Sequence, residues 1–184
     1  MNTPKKASIF RLAMTLFLIT AVIAAGLAGV NAITQKPIAD AAQKKTQQAI
    51  AQVLGQAEDV KQIAFHDCTG LVQTVYQAST GYAVEVAVPG FNGQIRMMVG
   101  INVQGQVLGI SIISHMETAG LGAVAGANNA KGQAFRDQFI GLSGTLAVNK
   151  DGGQVDAISG ATITSRAVTE GVNAALECVK EGVA

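Results

Sequence analysis

The apolar residues of this chain follow three rhythms, and each predicts a different kind of element. From Leu12 to Ile33 the stretch LAMTLFLITAVIAAGLAGVNAI carries no charge. At about 1.5 Å of rise per residue, a helix of that length spans roughly 33 Å, enough for a hydrocarbon core of about 30 Å. Lys5, Lys6 and Arg11 precede it, and basic residues stay on the cytoplasmic side. The run predicts a single transmembrane helix at residues 12–33, with residues 1–11 cytoplasmic and the rest of the chain outside. It is longer than the apolar core of about 7–15 residues in a cleaved signal peptide, which favours a retained anchor over that alternative.

The second rhythm is helical. Residues 34–60 are rich in Ala, Gln and Lys, and Ile50, Val53, Leu54 and Ala57 recur at helical spacing. They predict a helical linker with a thin apolar stripe. The tail SRAVTEGVNAALECVKEGVA sets Val168, Val172, Leu176 and Val179 on one face of an amphipathic helix that starts beside Thr162. In QAFRDQFIG, Phe135 and Phe139 stand one helical turn apart and predict a short helix with an aromatic stripe.

The third rhythm has a period of two. LVQTVYQA, GYAVEVAVPG, GQIRMMVGINV and QVLGISIISH are short, rich in Val, Ile and Tyr, and bounded by Gly, Pro and Asn. Leu71 to His115 therefore reads as an antiparallel meander of four strands, with a hairpin loop at Gln104-Gly105-Gln106. TLAVNKDGGQVDAI predicts a second hairpin turning at Asp151-Gly152-Gly153. The fold class is α+β: an N-terminal transmembrane helix, then an antiparallel sheet with packed helices over residues 61–184.

Composition narrows the function. Hydrophobic residues make up 49% and charged residues 14%, the apolar surplus lying near the N-terminus, so membrane lipid is an expected partner. Net charge is +1, Trp is absent, and no basic stripe interleaves with aromatics, so nucleic acid is not an expected partner. Cys68 and Cys178 are the only cysteines and lack CxxC spacing; with only two histidines, no metal centre is expected. Outside the cytoplasm the two could form a disulfide. Small apolar packing residues, or a free thiol, are the equal alternative. No strand leads into GxGxxG, and two cysteines cannot hold a ferredoxin-type cluster.

The stretch VDAISGATITSRAV sets Ser159, Gly160, Ala161 and Thr162 just before a helix, with Thr164 and Ser165 close behind. A helix N-terminus offers unpaired N–H groups and a positive dipole end, and phosphate binds there. Small residues let a ligand approach the backbone. Ser and Thr also cap helices without any ligand, so spacing alone leaves both readings open.

DAISGAT resembles the flavinylation motif of the FMN-binding domain family: an Asp, two residues, Ser or Thr, then Gly-Ala-Thr. The family includes the G subunit of the Rnf ion-translocating ferredoxin:NAD oxidoreductase and the C subunit of the sodium-pumping NADH:quinone reductase. The resemblance implies that Thr162 carries FMN through a phosphoester and that Asp156, Ser159, Gly160 and Ala161 complete the motif. SHMETAGLG resembles the family's His-x-Glu-Thr-Pro-Gly-Leu-Gly loop, which lies by the flavin. His115, Glu117, Thr118, Gly120, Leu121 and Gly122 match it, and Ala119 replaces the usual Pro. His115 and Glu117, two residues apart, are expected to point the same way, either to the flavin ring or to solvent.

A threonine hydroxyl needs activation to act as a nucleophile. No Asp, Glu or His cluster near the motif reads as a base or magnesium site. The resemblance supplies a separate magnesium-dependent FAD:protein FMN transferase acting outside the membrane. It implies an electron-carrier subunit of a membrane complex, with other membrane and peripheral subunits as partners and no stand-alone catalysis. Chain size leans to the Rnf member of the family over the quinone-reductase member. The rival from another class is a membrane-tethered binding module in which SGAT is only a cap. The segment 12–33 holds no ionisable side chain, so the coupling ion's route lies elsewhere.

Overall fold

The computed structural model describes residues 6–55, 57, 59–66 and 69–181. The predicted anchor and linker form one continuous helix, α1 (Lys6–Leu54), with Pro37 inside it. Proline removes one amide from the ladder, yet the surrounding Ala- and Gln-rich turns carry the helix through. The helix stops at Leu54, short of the residue 60 read from the sequence, because Gly55 takes a left-handed φ of 72°.

The chain divides into two units, one ending at Lys44 and one beginning at Lys45. In the first, Phe10, Leu12, Phe17, Ile23 and Ile33 are all exposed. The stretch Ile9–Leu54 contains an apolar window of mean hydropathy 2.2 that is 0% buried. A soluble core helix would be covered; this one is compatible with single-pass membrane anchoring.

The second unit is built on a five-stranded antiparallel meander: β1 (Lys61–Ile63), β2 (Val72–Ala78), β3 (Gly81–Pro89), β4 (Gln94–Asn102) and β5 (Val107–Ser114). Four strands match the sequence reading, and β1 is added at the edge. Its three residues carry no two-residue alternation long enough to read. The β3–β4 register sets Val84 opposite Val99, Val86 opposite Met97 and Val88 opposite Ile95. These side chains share one face and are all at most 1% exposed.

Onto that face packs α3 (Thr162–Glu181) through Val168, Val172, Ala175 and Leu176. Gly171 lets it settle, since a Cβ there would collide with the Met97 methyl. The helix α2 (Ala130–Asp137) is capped by the Asn129 side chain, which accepts from the Gly132 N–H at 2.9 Å. It leads into Phe139, whose ring meets Phe135 edge-on at 5.6 Å. Cys178 is buried in this core, and Cys68 lies outside the described residues. Ala83 and Met98 on the opposite face are covered by Ala49, Ile50, Val53 and Leu54 from the end of α1, so the thin stripe does pack.

The expected second hairpin is not formed. Residues 149–151 make a 3-10 turn, and Val148 and Val155 pair as an isolated parallel bridge. The Asp-Gly-Gly signature does mark a turn. The chain after it loops back so that Asn149 N–H donates to the Val155 carbonyl at 2.7 Å and Val155 N–H to the Ala147 carbonyl at 3.2 Å. Buried Val148 and Val155 produced the apparent alternation.

Candidate functional site

Two loops and one helix end meet beside the sheet. The first loop, after β5, runs from His115 through a 3-10 helix at Gly122–Gly126. The second loop leads from Val155 to the start of α3 at Thr162. Between them lies a cavity of about 330 Å³, lined by Phe91, Glu117, Thr118, Leu121, Gly122, Gly160, Ala161, Thr162, Ile163 and Thr164. The two motif segments, distant in sequence, thus form opposite walls of one slot.

Glu117 holds the walls together. Its carboxylate is buried and accepts a hydrogen bond from the Thr164 hydroxyl of α3. It also accepts the Asn92 N–H at 3.0 Å, from the turn between β3 and β4. A charge inside an apolar wall is tolerable only with such partners. Gly122 fits underneath because any Cβ there would overlap both the Thr164 hydroxyl and the Glu117 carboxylate.

The hydroxyls clustered after Ile158 divide into two kinds. Thr164 and Ser165 are buried and spent internally. Ser165 Oγ accepts from the Ile158 N–H at 2.9 Å and donates to the Ala161 carbonyl at 3.0 Å, tying the loop to the helix. Thr162 is only half-buried and lines the cavity. Gly160, with φ at 75°, makes the turn that brings Thr162 there, and a Cβ on it would stand 3.1 Å from Leu121 across the slot.

Beside Thr162 stands a group that the sequence reading missed. Lys150 Nζ donates to Thr162 Oγ1 at 2.9 Å. Its 3-10 turn is clasped on both sides: Asn149 Nδ2 donates to Asp156 Oδ1 at 2.8 Å, and Arg166 Nη2 donates to Asp151 Oδ1 at 2.5 Å. The bidentate Arg166 bond holds the Asp151 carboxyl below the usual carboxylate range, and raises Arg166 above its own ordinary value. Phe91 was missed as well; it is an exposed aromatic in an otherwise small, polar turn, and that contrast was its one signal.

The remaining motif residues are placed differently. Asp156 is exposed and acts through Asn149, with its N–H donating to Gln138 Oε1 at 2.7 Å. Ser159 and Gly120 are exposed and outside the cavity lining, and the half-buried His115 also lies outside it. His115 and Glu117 are not brought together over the slot. The imidazole lies against Gly126, while the carboxylate reaches Thr164. Strand β5 ends at Ser114, so strand alternation no longer governs them. Ala119 leaves its turn closed, because the Leu121 and Ala123 amides both donate to the Thr118 carbonyl, at 3.2 and 3.1 Å.

A hydroxyl, an ammonium and a helix N-terminus converge at the mouth of a largely apolar slot. The phosphate end of a ligand suits the first three, and a flat apolar body suits the slot walls. A larger open groove of about 710 Å³ lies toward the other end of α3, near Val103, Thr145 and Lys180, and holds no residue of either motif.

Residues 90–177 match the FMN-binding domain family, and residues 1–53 match the RnfG N-terminal region. The chain is similar to the G subunit of the Na(+)-translocating ferredoxin:NAD(+) oxidoreductase complex from Acetobacterium woodii, at 30% identity over 96% of this chain and 97% of the relative. It is 34% identical to the G subunit of an ion-translocating oxidoreductase complex of Vibrio cholerae, over 89% of this chain and 88% of that one. The G subunit of the same description from Methanosarcina acetivorans is 32% identical over 93% of this chain and 94% of its own. With matches of this extent at both ends of the chain, the protein belongs to the RnfG family of ion-translocating oxidoreductase complexes, the family whose FMN-binding domain its second unit carries.

Proposed function

We propose that this chain is the electron-carrier subunit of a membrane-bound ion-translocating ferredoxin:NAD oxidoreductase complex, and that FMN is joined to Thr162 by a phosphoester. The observation that carries this reading is Thr162 itself: half-buried, first in α3, at the mouth of the slot, with a lysine ammonium on its hydroxyl. When bound, FMN supplies one- and two-electron transfer. The residues of this chain do the rest. Thr162 would hold the phosphate end, Lys150 and the α3 N-terminus would balance its charge, and Phe91, Leu121 and Ile163 would offer the apolar body of the cofactor a contact surface.

The group on the Thr162 hydroxyl is a donor and not a base. Removal of the hydroxyl proton therefore falls to a separate FAD:protein FMN transferase. In this reading α1 anchors the chain in the membrane, which its apolar window is long enough to allow, and the Lys and Arg residues before it support a topology with residues 61–184 outside the cytoplasmic membrane. Electrons arrive from and leave to partner subunits of the complex.

The test is the full chain co-expressed with such a transferase, then denatured and run on a gel under ultraviolet light. The wild-type band fluoresces; Thr162→Ala stays dark while its circular dichroism is unchanged. A fluorescent Thr162→Ala band would assign the flavin to another residue and end the proposal.

A further inference from the structure

Resting on the reading of Thr162 as the flavin attachment site, we propose that Lys150 is a catalytic residue of the attachment reaction: its ammonium binds the phosphoryl group as Thr162 takes it up. Three successive residues of the 3-10 turn each grip the segment that carries Thr162. Asn149 holds Asp156 at 2.8 Å, Lys150 holds Thr162 at 2.9 Å, and Asp151 holds Arg166. The outer two rungs restrain the turn, so the middle one arrives at the threonine oxygen with its aim already set. Pre-set charge of this kind assists a developing anion without reorganisation at the moment of reaction. Lys150 is exposed, so an incoming enzyme with its nucleotide has access to it.

The step balances as a transfer between oxygens. The donor is flavin adenine dinucleotide. Thr162 Oγ forms a bond to the flavin-side phosphorus, the bridging P–O bond of the pyrophosphate breaks, and adenosine monophosphate leaves with the bridging oxygen. The threonine proton passes to a base of the transferase, and nothing is oxidised or reduced. Lys150 stays protonated throughout. Its charge first favours ionisation of the hydroxyl it touches, then pairs with the non-bridging phosphoryl oxygens. The same contact leaves the product diester with a partner of opposite charge. The geometry also gives the motif aspartate a role in this chain: Asp156 acts on Thr162 indirectly, by holding Asn149 and hence the turn.

The experiment uses the full chain in detergent, a purified FAD:protein FMN transferase, FAD and magnesium. It follows flavin incorporation with time by in-gel fluorescence. Lys150→Met keeps the stem and removes the charge, and Lys150→Arg restores a cation. Incorporation into Lys150→Met is expected to slow by at least about tenfold, with Lys150→Arg within about threefold of wild type, in keeping with the loss of one charge-stabilising donor at an exposed site. Equal urea midpoints for the three proteins separate this effect from folding. Lys150→Met loading at the wild-type rate, with Thr162→Ala dark, would overturn the role of Lys150 and leave the attachment site intact. A wild-type chain that takes up no flavin would overturn both.

Discussion

Replacing Thr164 by valine tests the latch that closes the slot. Valine nearly matches threonine in shape, so no cavity opens, and only the hydroxyl donor is lost. Thr164 is 1% exposed and Glu117 is 8% exposed, so water does not readily replace the missing partner. A net hydrogen bond to a charged group contributes about 1.5–3 kcal/mol, and a buried carboxylate left short of a donor adds a desolvation cost. The Asn92 N–H remains on the other oxygen, which limits the loss. We expect a destabilisation of about 2–4 kcal/mol, a large share of the roughly 5–15 kcal/mol that holds a domain together. With a urea slope near 2 kcal/mol/M, that lowers the midpoint by about 1–2 M. The assay is urea unfolding of flavin-free full chain in detergent, followed by far-ultraviolet circular dichroism. Thr164→Ser keeps the donor and should fall near wild type. In the double-mutant cycle with Glu117→Gln, a coupling of at least about 1 kcal/mol is expected for residues in direct contact. A Thr164→Val midpoint indistinguishable from wild type, with no coupling in the cycle, would refute the latch.

Two further outcomes follow from the same loops. Gly160→Ala forces a Cβ into a left-handed backbone, costing about 1–2 kcal/mol, and presses on Leu121 at 3.1 Å. Thermal unfolding should show the loss, and flavin incorporation should slow because the turn that aims Thr162 is displaced. The Asp151–Arg166 pair predicts a pH dependence. A carboxyl held below its unfolded value contributes stability that is present above about pH 4 and is lost as the pH falls through the lowered folded value. The melting temperatures of wild type and Asp151→Asn should therefore differ at pH 6 and converge toward pH 2; a gap that stays constant over that range contradicts the assignment.

Much of the fold was legible because it is written in periodicity. Strands β2 to β5 are Val-, Ile- and Tyr-rich runs of seven or more residues, and α3 repeats its apolar positions over five turns. Alternation does not describe the central pair β3 and β4, which are buried on both faces. The second hairpin was misread because buried Val148 and Val155 mimic alternation while facing each other across a looped segment. At the site, the identities of the motif residues singled out Thr162 as the proposed attachment point, and the fold sets it in the lining of the slot. The roles of its neighbours were not visible. Glu117 and Thr164 are 47 residues apart and meet only through the packing of α3 on the sheet. Lys150 lies in a turn whose aim depends on contacts to Asp156 and Arg166, and no spacing rule encodes those. The cluster of hydroxyls around Thr162 left ligand approach and helix capping both open from spacing alone. Burial shows that Thr164 and Ser165 serve the scaffold and Thr162 faces the slot.

The most direct test of the account is the mass of one peptide. Trypsin cuts after Lys150 and Arg166 and releases Asp151–Arg166, which contains Thr162 and no other cleavage site. The chain should be purified from a host that flavinylates its own proteins. The account predicts this peptide at its sequence mass plus FMN less one water, with fragments that assign the addition to Thr162. The unmodified mass alone, from a host shown to flavinylate other proteins, would contradict it and leave the segment around Thr162 as a helix start with no cofactor to carry.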